Sequence, residues 1–175
     1  MRRLLFMLLG PLGAALSAIV LAAGPAAADS PHFISEGTAS INSSGAYVVT
    51  NFKEAGLGNT TTTEAITLQA TATATYLCVN GGGNHPKAAN KQSVTTPVSN
   101  TANFAVRNGQ TTGSLSVGPP AAGPFQPPCS PPQTVVLAFV SYTNVELIGL
   151  AGDTSAEPDL SACLVTGSLA TAGCP

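Results

Sequence analysis

The stretch of sequence that decides the fold is residues 64–79, EAITLQATATATYLCV. Apolar or aromatic side chains occupy every even position from Ile66 to Cys78, whereas the odd positions from Thr67 to Thr75 carry threonine or glutamine. Because side chains of a β-strand point alternately to opposite faces, this period of two predicts a long strand with one face on a core and a threonine-rich face toward water. The strand ends on a cysteine and leads into a glycine-rich loop.

Shorter strands, separated by turn residues, are predicted elsewhere in the chain. TASINSS and AYVVTNF predict two strands that turn at Ser44-Gly45. VTTPVSNTANFAV also alternates, and Pro97 marks it as an edge strand or a bulge, because proline cannot donate a ladder hydrogen bond. Asn108-Gly109 predicts a hairpin turn into TTGSLSV. VVLAFV, residues 135–140, is apolar on both faces and favours a central strand, and ACLVTGSLA predicts a last strand.

These patterns predict an all-β fold without helices. We expect an antiparallel two-sheet β-sandwich of about seven strands, immunoglobulin-like in general architecture and stapled by disulfides. The predicted core takes its large side chains from the apolar faces of these strands: Ile66, Leu68, Tyr76, Phe104, Leu137 and Phe139.

The N-terminus has the composition of a secretory signal peptide. Arg2 and Arg3 precede an apolar run that ends in small residues, AAA, before Asp29. A membrane anchor is the alternative, but Gly10, Pro11 and Gly13 interrupt the run and the cleavage motif follows it at once. We therefore predict a signal peptide at 1–28, a single secreted domain at 29–175, and an extracellular location.

The charge balance argues against some classes of partner. The full chain has six Lys and Arg residues, eight Asp and Glu residues and a formal net charge of −2. Cleavage would remove Arg2 and Arg3, leaving four cations against eight acids, a net charge of −4. A chain with so few basic residues lacks the clustered positive surface that is needed to bind nucleic acids or anionic membranes. We predict neither partner for the mature protein.

Four cysteines, all in the exported part, predict two disulfides with three possible pairings. We favour Cys78 with Cys129 and Cys163 with Cys174. The first bridge ties the glycine-rich loop to the proline-rich segment 118–133, and the second staples a tail that would otherwise fray. No CxxC spacing is present, so metal ligation is the weaker interpretation, and we predict no metal and no cofactor.

The sequence resembles a group of small secreted actinobacterial proteins of unknown function. The resemblance covers roughly residues 30–150 and is most specific in residues 78–91, CVNGGGNHPKAANK. It also includes FKEAGLG, residues 52–58, and SYTNV, residues 141–145. Proteins of this group carry one cysteine in the loop and one in the proline-rich segment, which supports the Cys78–Cys129 pair. The tail with Cys163 and Cys174 departs from their pattern.

The candidate binding site is the loop of residues 80–91. Its glycines allow a close approach of the backbone to a partner, and its donors and cations are Asn84, His85, Lys87, Asn90 and Lys91. We predict a recognition loop for a polar or anionic group at one end of the sandwich. The alternative is an ordered turn that Asn84 caps and Pro86 fixes.

An enzyme is the less favoured function. No nucleophile motif is present, and His32 and His85 are the only imidazoles. Glu54 and Glu64 could act together as glycosidase carboxylates, but the chain has no tryptophan and few tyrosines to form a glycan cleft. We expect a non-enzymatic binding module for an extracellular protein or small molecule. A second possibility, by analogy of fold and composition with neocarzinostatin-type apoproteins, is a carrier of a small apolar molecule.

Overall fold

Two antiparallel sheets pack face to face, as the alternating patterns predict. The structure, a computed structural model, describes residues 30–80, 90–124 and 128–175. Its elements, in chain order, are β1 (His32–Ser35), β2 (Thr38–Ile41), β3 (Tyr47–Ala55), β4 (Thr63–Val79), β5 (Lys91–Ala105), β6 (Gln110–Val117), β7 (Thr134–Ile148), β8 (Thr154–Glu157), β9 (Leu160–Cys163) and α1 (Ser168–Gly173).

Each sheet has one edge that consists of two short strands. In the first sheet, β3 pairs with β6 on one side and with both β1 and β2 on the other. In the second, β5, β4 and β7 are neighbours in that order, and β8 and β9 both pair along the far side of β7. The nine described strands therefore occupy three positions in one sheet and four in the other, in agreement with the predicted sandwich.

The long central strand β4 has the predicted two faces. Its even positions are buried from Glu64 to Cys78, and Ile66 and Leu68 have no exposed surface. The neighbouring β5 is an edge strand, and Pro97 lies in it opposite Thr71. The predictions for β4 and for Pro97 are thus confirmed.

The core between the sheets is built around aromatic rings set against small residues. The rings of Tyr47 and Tyr142 meet edge to face at 5.4 Å, and Ala72 lies opposite Tyr142 in the ladder, where its small side chain leaves space for the rings. Phe52 contacts Phe104 in the same way at 5.1 Å. The fully or nearly fully buried members of this cluster are Tyr47, Val49, Phe52, Ile66, Leu68, Ala70, Ala72, Leu115, Val117, Val140, Tyr142, Val145 and Leu147.

Buried tyrosine hydroxyls attach the connecting segments to the sheets. Tyr142 donates to the carbonyl of Gly45 at 2.7 Å, Tyr47 to that of Pro158 at 2.7 Å, and Tyr76 to that of Pro120 at 2.6 Å. Burial raises the pKa of Tyr142 to about 12, so the hydroxyl keeps its proton and the hydrogen bond. The bonds to Gly45 and Pro120 satisfy carbonyls of buried residues that would otherwise lack a partner.

Four sequence predictions were incomplete or wrong. Asn108-Gly109 does form a turn, with φ of 52° and 70°, but it does not close a hairpin: β5 and β6 separate after the bridge between Arg107 and Gln110 and join opposite sheets. Phe139 lies on the threonine-rich face, opposite Thr75, because Ala138 is an extra residue in β7 that shifts the ladder.

The other two concern the chain ends that the structure describes. The last segment was predicted to be one strand, yet only residues 160–163 are a strand, and α1 follows. No element was predicted for residues 32–35, which form β1, because four residues are too few to show a pattern. Both errors arise because short elements are stabilised by neighbours that local periodicity does not reveal.

The outer face of the second sheet carries paired hydroxyl groups. Thr67 bonds Thr101 and Thr73 bonds Thr95, each at 2.8 Å between side-chain oxygens, and Thr75 bonds Ser93 at 2.9 Å. These pairs explain why threonine occupies the odd positions of β4. Its hydroxyl groups form hydrogen bonds with the hydroxyl groups of β5 on the outer face of the sheet.

Candidate functional site

The two ends of the sandwich are built from different chemistry. We call the disulfide end the end that contains residues 42–46, the ends of β4 and β5 that flank residues 80–90, the segment 118–133 and the tail 164–174. The carboxyl end contains residues 56–62, 106–110 and 149–153, with Glu54 and Glu64 beside them. The described residues of the predicted site, Asn90 and Lys91, lie at the disulfide end.

At the disulfide end, a bridge joins Cys78 to Cys129, the pairing favoured from the sequence. Cys78 is 1% exposed and packs with Ala74 and Tyr76, and Ala122 of the proline-rich segment contacts the same cluster. The hydrogen bond from Tyr76 to Pro120 holds that segment from the other side. The segment is therefore attached to the base of the glycine-rich loop by a covalent bond, a hydrogen bond and apolar contact.

The second bridge, Cys163–Cys174, places α1 over the outer face of β4. Leu77 and Val79 would point to solvent on that face, but Leu169 and Ala172 of α1 pack against their cluster. Gly173 approaches closely: a Cβ there would lie 3.0 Å from Leu77 Cδ1 and closer still to Ala138. This cover explains why β4 loses its alternation after Ala74 and is buried on both faces.

Only part of the predicted site can be placed. Asn90 lies just before β5, and the exposed Lys91 begins β5 opposite Leu77. Asn84, His85 and Lys87 lie outside the described residues. Val135 is 47% exposed and pairs with Cys78, so the described rim of this end combines a cation with an apolar side chain.

The carboxyl end contains a cluster that the sequence did not predict. Glu54 has no exposed surface, and Glu64 is 4% exposed. The backbone N–H of Leu150 donates to Glu64 Oε1 at 2.7 Å. A Cβ on Gly149 would lie 2.9 Å from Glu54 Oε1 and closer still to Asp153 Oδ1, so the carboxyl groups of Glu54 and Asp153 flank this one glycine.

The buried oxygens of this cluster lack partners. Neither carboxyl oxygen of Glu54 or of Asp153 accepts a hydrogen bond from any residue that the structure describes. Burial raises the pKa of Glu54 from 4.5 to about 8, helped by the negative charges of the nearby Asp153 and Glu64. Glu54 therefore keeps its proton near neutral pH.

Inward-facing carboxyl groups could have been found from the sequence. Glu64 continues the buried even phase of β4, and Glu54 continues the buried phase of β3 after Phe52. Asp153 lies in a turn, where side chains do not alternate as they do in a strand, so the sequence does not indicate which way its side chain points. The structure does bring Glu54 and Glu64 together, but a glycosidic oxygen cannot reach Glu54, which has no accessible surface.

A surface pocket of about 330 Å³ opens beside this cluster. Its apolar wall is formed by Pro31, Leu57 and Leu150, and Glu64 contributes a carboxylate. Leu150 is 75% exposed at the rim. The full lining is Pro31, Gly56, Leu57, Thr60, Thr61, Glu64, Leu150 and Ala151.

Comparison with known proteins gives no relative from which a function could be transferred. No protein-family model matches the chain, and no curated protein or solved structure matches it significantly. In the three described ranges, no cluster of His, Cys, Asp or Glu is arranged to hold a metal ion. Across those same ranges, no helix has the length and apolar character to cross a membrane.

Proposed function

We propose that this protein is an exported, non-catalytic binding module whose recognition surface is the disulfide end. The observation that carries the proposal is the Cys78–Cys129 bridge, which joins the base of the glycine-rich loop to the proline-rich segment. Loops on a rigid β-scaffold are the usual place for recognition. A scaffold that fixes two irregular segments to each other reduces the entropy lost on binding.

The chemistry of this end favours a polar or anionic group on an extracellular protein or small molecule. Lys91 is exposed at the start of β5, and the exposed Val135 lies nearby. The proposed surface extends over Asn84, His85, Lys87 and Asn90, so it would offer amide, imidazole and ammonium donors beside apolar contacts. Such a mixture of donors and apolar area is typical of protein interfaces.

Export is part of the proposal. Two disulfides are typical of an oxidising compartment, and the sequence before Asp29 has the order of a signal peptide. N-terminal sequencing of the protein from culture medium should give Asp29 as the first residue. Recovery of an intact Met1 from the membrane fraction would contradict export with cleavage.

The binding proposal is tested with a loop variant, His85→Ala with Lys87→Ala and Lys91→Ala. Immobilised wild-type protein, this variant and the control Lys53→Ala are compared for binding to extracellular proteins and isolated cell wall of the source organism. Lys53 is exposed on β3, outside the proposed surface. We expect the control to bind as wild type does and the loop variant to bind at least about tenfold more weakly, because charged donors contribute most per contact. Equal binding by all three, or binding by none, would refute the proposal.

The alternative function, a carrier of a small apolar molecule, needs an apolar cleft. The pocket at the carboxyl end has an apolar wall, but Glu64 lines it as well. A buried carboxylate disfavours a wholly apolar occupant, because the occupant would strip water from the charge and replace it with nothing.

A further inference from the structure

The pocket at the carboxyl end has a feature that the proposed binding function does not use. Glu64 lines the pocket, and the carboxyl groups of Glu54 and Asp153 flank Gly149, the residue before Leu150 of its apolar wall. The four carboxyl oxygens of Glu54 and Asp153 are buried without a hydrogen-bond partner in the described ranges. A buried carboxyl group without a compensating donor creates, once it has lost its proton, a potential that favours a nearby cation.

We propose that this pocket binds a small organic cation, an ammonium group on an apolar body. The ammonium would lie against the Glu64 carboxylate, and the apolar body against Leu57, Pro31 and Leu150. Glu64 is well placed for this contact, since its Oε1 is fixed by the N–H of Leu150. The proposal does not depend on the loop at the disulfide end, so either can fail alone.

The lining distinguishes an organic cation from an inorganic one. Calcium requires six to eight oxygen ligands, whereas Pro31, Leu57 and Leu150 present carbon atoms to this pocket. In the described part of the chain, no cluster of side chains has the geometry of a metal site. A quaternary ammonium has a weakly hydrated, methyl-covered surface. It therefore loses little hydration on entry and gains both the apolar contact and the attraction to the carboxylates.

The size of the pocket sets the class of ligand. A volume of about 330 Å³ is at the lower end for small-molecule sites. It suits a single ring or a short chain with one charged head. The exposed side chain of Leu150 at the rim would be covered by such a body.

The test uses isothermal titration calorimetry of the mature protein, with benzyltrimethylammonium as probe and benzyl alcohol as the neutral control. We expect saturable one-to-one binding of the cation at pH 8.5 and at least tenfold weaker binding of the alcohol. Calcium chloride is titrated in parallel. No binding of the cation, equal binding of the alcohol, or stoichiometric competition by calcium would each overturn the proposal.

Two variants assign the site, with one control. Glu64→Gln keeps an oxygen for the N–H of Leu150 but removes the charge, and should weaken binding at least tenfold. Leu150→Ser changes only an exposed rim residue, so it leaves the core intact; it should weaken binding about threefold. Glu146→Gln removes the same charge five ladder positions away, roughly 16 Å along β4, and should change binding less than twofold. Unchanged binding in both Glu64→Gln and Leu150→Ser would place the ligand elsewhere and refute the site.

A pH series gives an independent readout, because benzyltrimethylammonium keeps its charge at every pH. The groups around the pocket are Glu54, Glu64 and Asp153, and His32, Lys53 and Arg107 lie at the outer strand ends of the same end. Loss of the proton from Glu54 adds negative charge behind Glu64. Affinity should therefore rise from pH 6 to pH 8.5 in wild type and in Glu146→Gln, and the rise should be smaller in Glu54→Gln. A rise of equal size in Glu54→Gln would contradict the role of the buried cluster.

Discussion

The two ends of this sandwich close the same pair of sheets by opposite means. The disulfide end carries the longer connections, from β4 to β5 and from β6 to β7; one bridge joins the end of β4 to Cys129, and the other joins β9 to the tail. The carboxyl end carries shorter turns, and buried carboxyl groups contact the turn at 149–153. The stability that a disulfide adds depends on the redox state of the solution but not on pH. The stability that buried acids add depends on pH but not on the redox state.

The comparison teaches that the two ends should be separable in stability and in function. A long, irregular segment loses much entropy on ordering, and a bridge reduces that cost by restricting the unfolded chain. Carboxyl groups offer no such reduction, and burying them without partners costs free energy, more when they are ionised than when they are protonated. Leu at Glu54 would avoid this cost, and the proposed cation site gives a reason for a carboxyl group there.

The largest effect is expected at the disulfide end. The double variant Cys78→Ala with Cys129→Ala should lower the free energy of unfolding by about 4 kcal/mol, because the bridge closes 51 residues. Cys163→Ala with Cys174→Ala, which opens a separation of 11, should lose about 3 kcal/mol. Urea unfolding at constant pH measures both. A larger loss for the shorter loop would contradict the chain-entropy explanation.

The next effect is the pH dependence that arises from two buried acids, Glu54 at the carboxyl end and Glu157 at the end of β8. Folding raises the pKa of Glu54 to about 8 and, through burial and the charge of Glu36, that of Glu157 to about 7. The folded state thus binds protons more tightly than the unfolded state. The stability from these groups is complete below pH 4.5 and is lost as pH rises to about 8.

We therefore expect unfolding free energy to fall from pH 5 to pH 8.5 by a few kcal/mol, on the order set by 1.4 kcal/mol per pKa unit. Urea unfolding across this range is the measurement, and Glu54→Gln is the control that should show a shallower fall. Stability that rises over this range, or a fall that Glu54→Gln leaves intact, would show that Glu54 is not the titrating group.

The smallest effect separates hydrogen bonding from covalent attachment at the disulfide end. Tyr76→Phe removes the hydroxyl that donates to the carbonyl of Pro120. We expect a loss of about 1 kcal/mol, since a buried acceptor loses its donor. Leu68 is fully buried in β4, and Leu68→Ala should lower the free energy of unfolding by about 2–5 kcal/mol. The loss in Tyr76→Phe is compared with this value. A cost for Tyr76→Phe equal to that of Leu68→Ala would mean that Tyr76 supports the whole core.

The sequence predicted the fold well where periodicity carries the information. The alternation of β4 holds from Ile66 to Ala74 because one face meets the core and the other meets water. It fails after Ala74, where α1 covers the outer face, and it misplaced Phe139 because Ala138 shifts the ladder by one residue. A β-bulge, or a helix from a distant part of the chain that packs on a strand, cannot be recognised from the local alternation of residues.

The candidate sites show the same limit. The glycine-rich loop was evident from composition, but Lys91, which was predicted to belong to that loop, is the first residue of β5. Asp153 could not be found from the sequence, because its contact with Gly149 and the approach of Glu54 from another sheet depend on tertiary packing. Glu54 and Glu64 were recognised as a possible pair, but their burial could not be, and Glu54 has no exposed surface to offer a substrate.

The central claim is that pH acts through Glu54 on the carboxyl end and not on the disulfide end. Amide hydrogen exchange at pH 6 and pH 8.5, corrected for intrinsic exchange rates, tests it residue by residue. We predict that the amides of Gly149, Leu150 and Gly152 lose protection at pH 8.5, while those of Leu164 and Cys174 at the disulfide end do not. Equal loss at both ends, or no loss at Leu150, would contradict the claim.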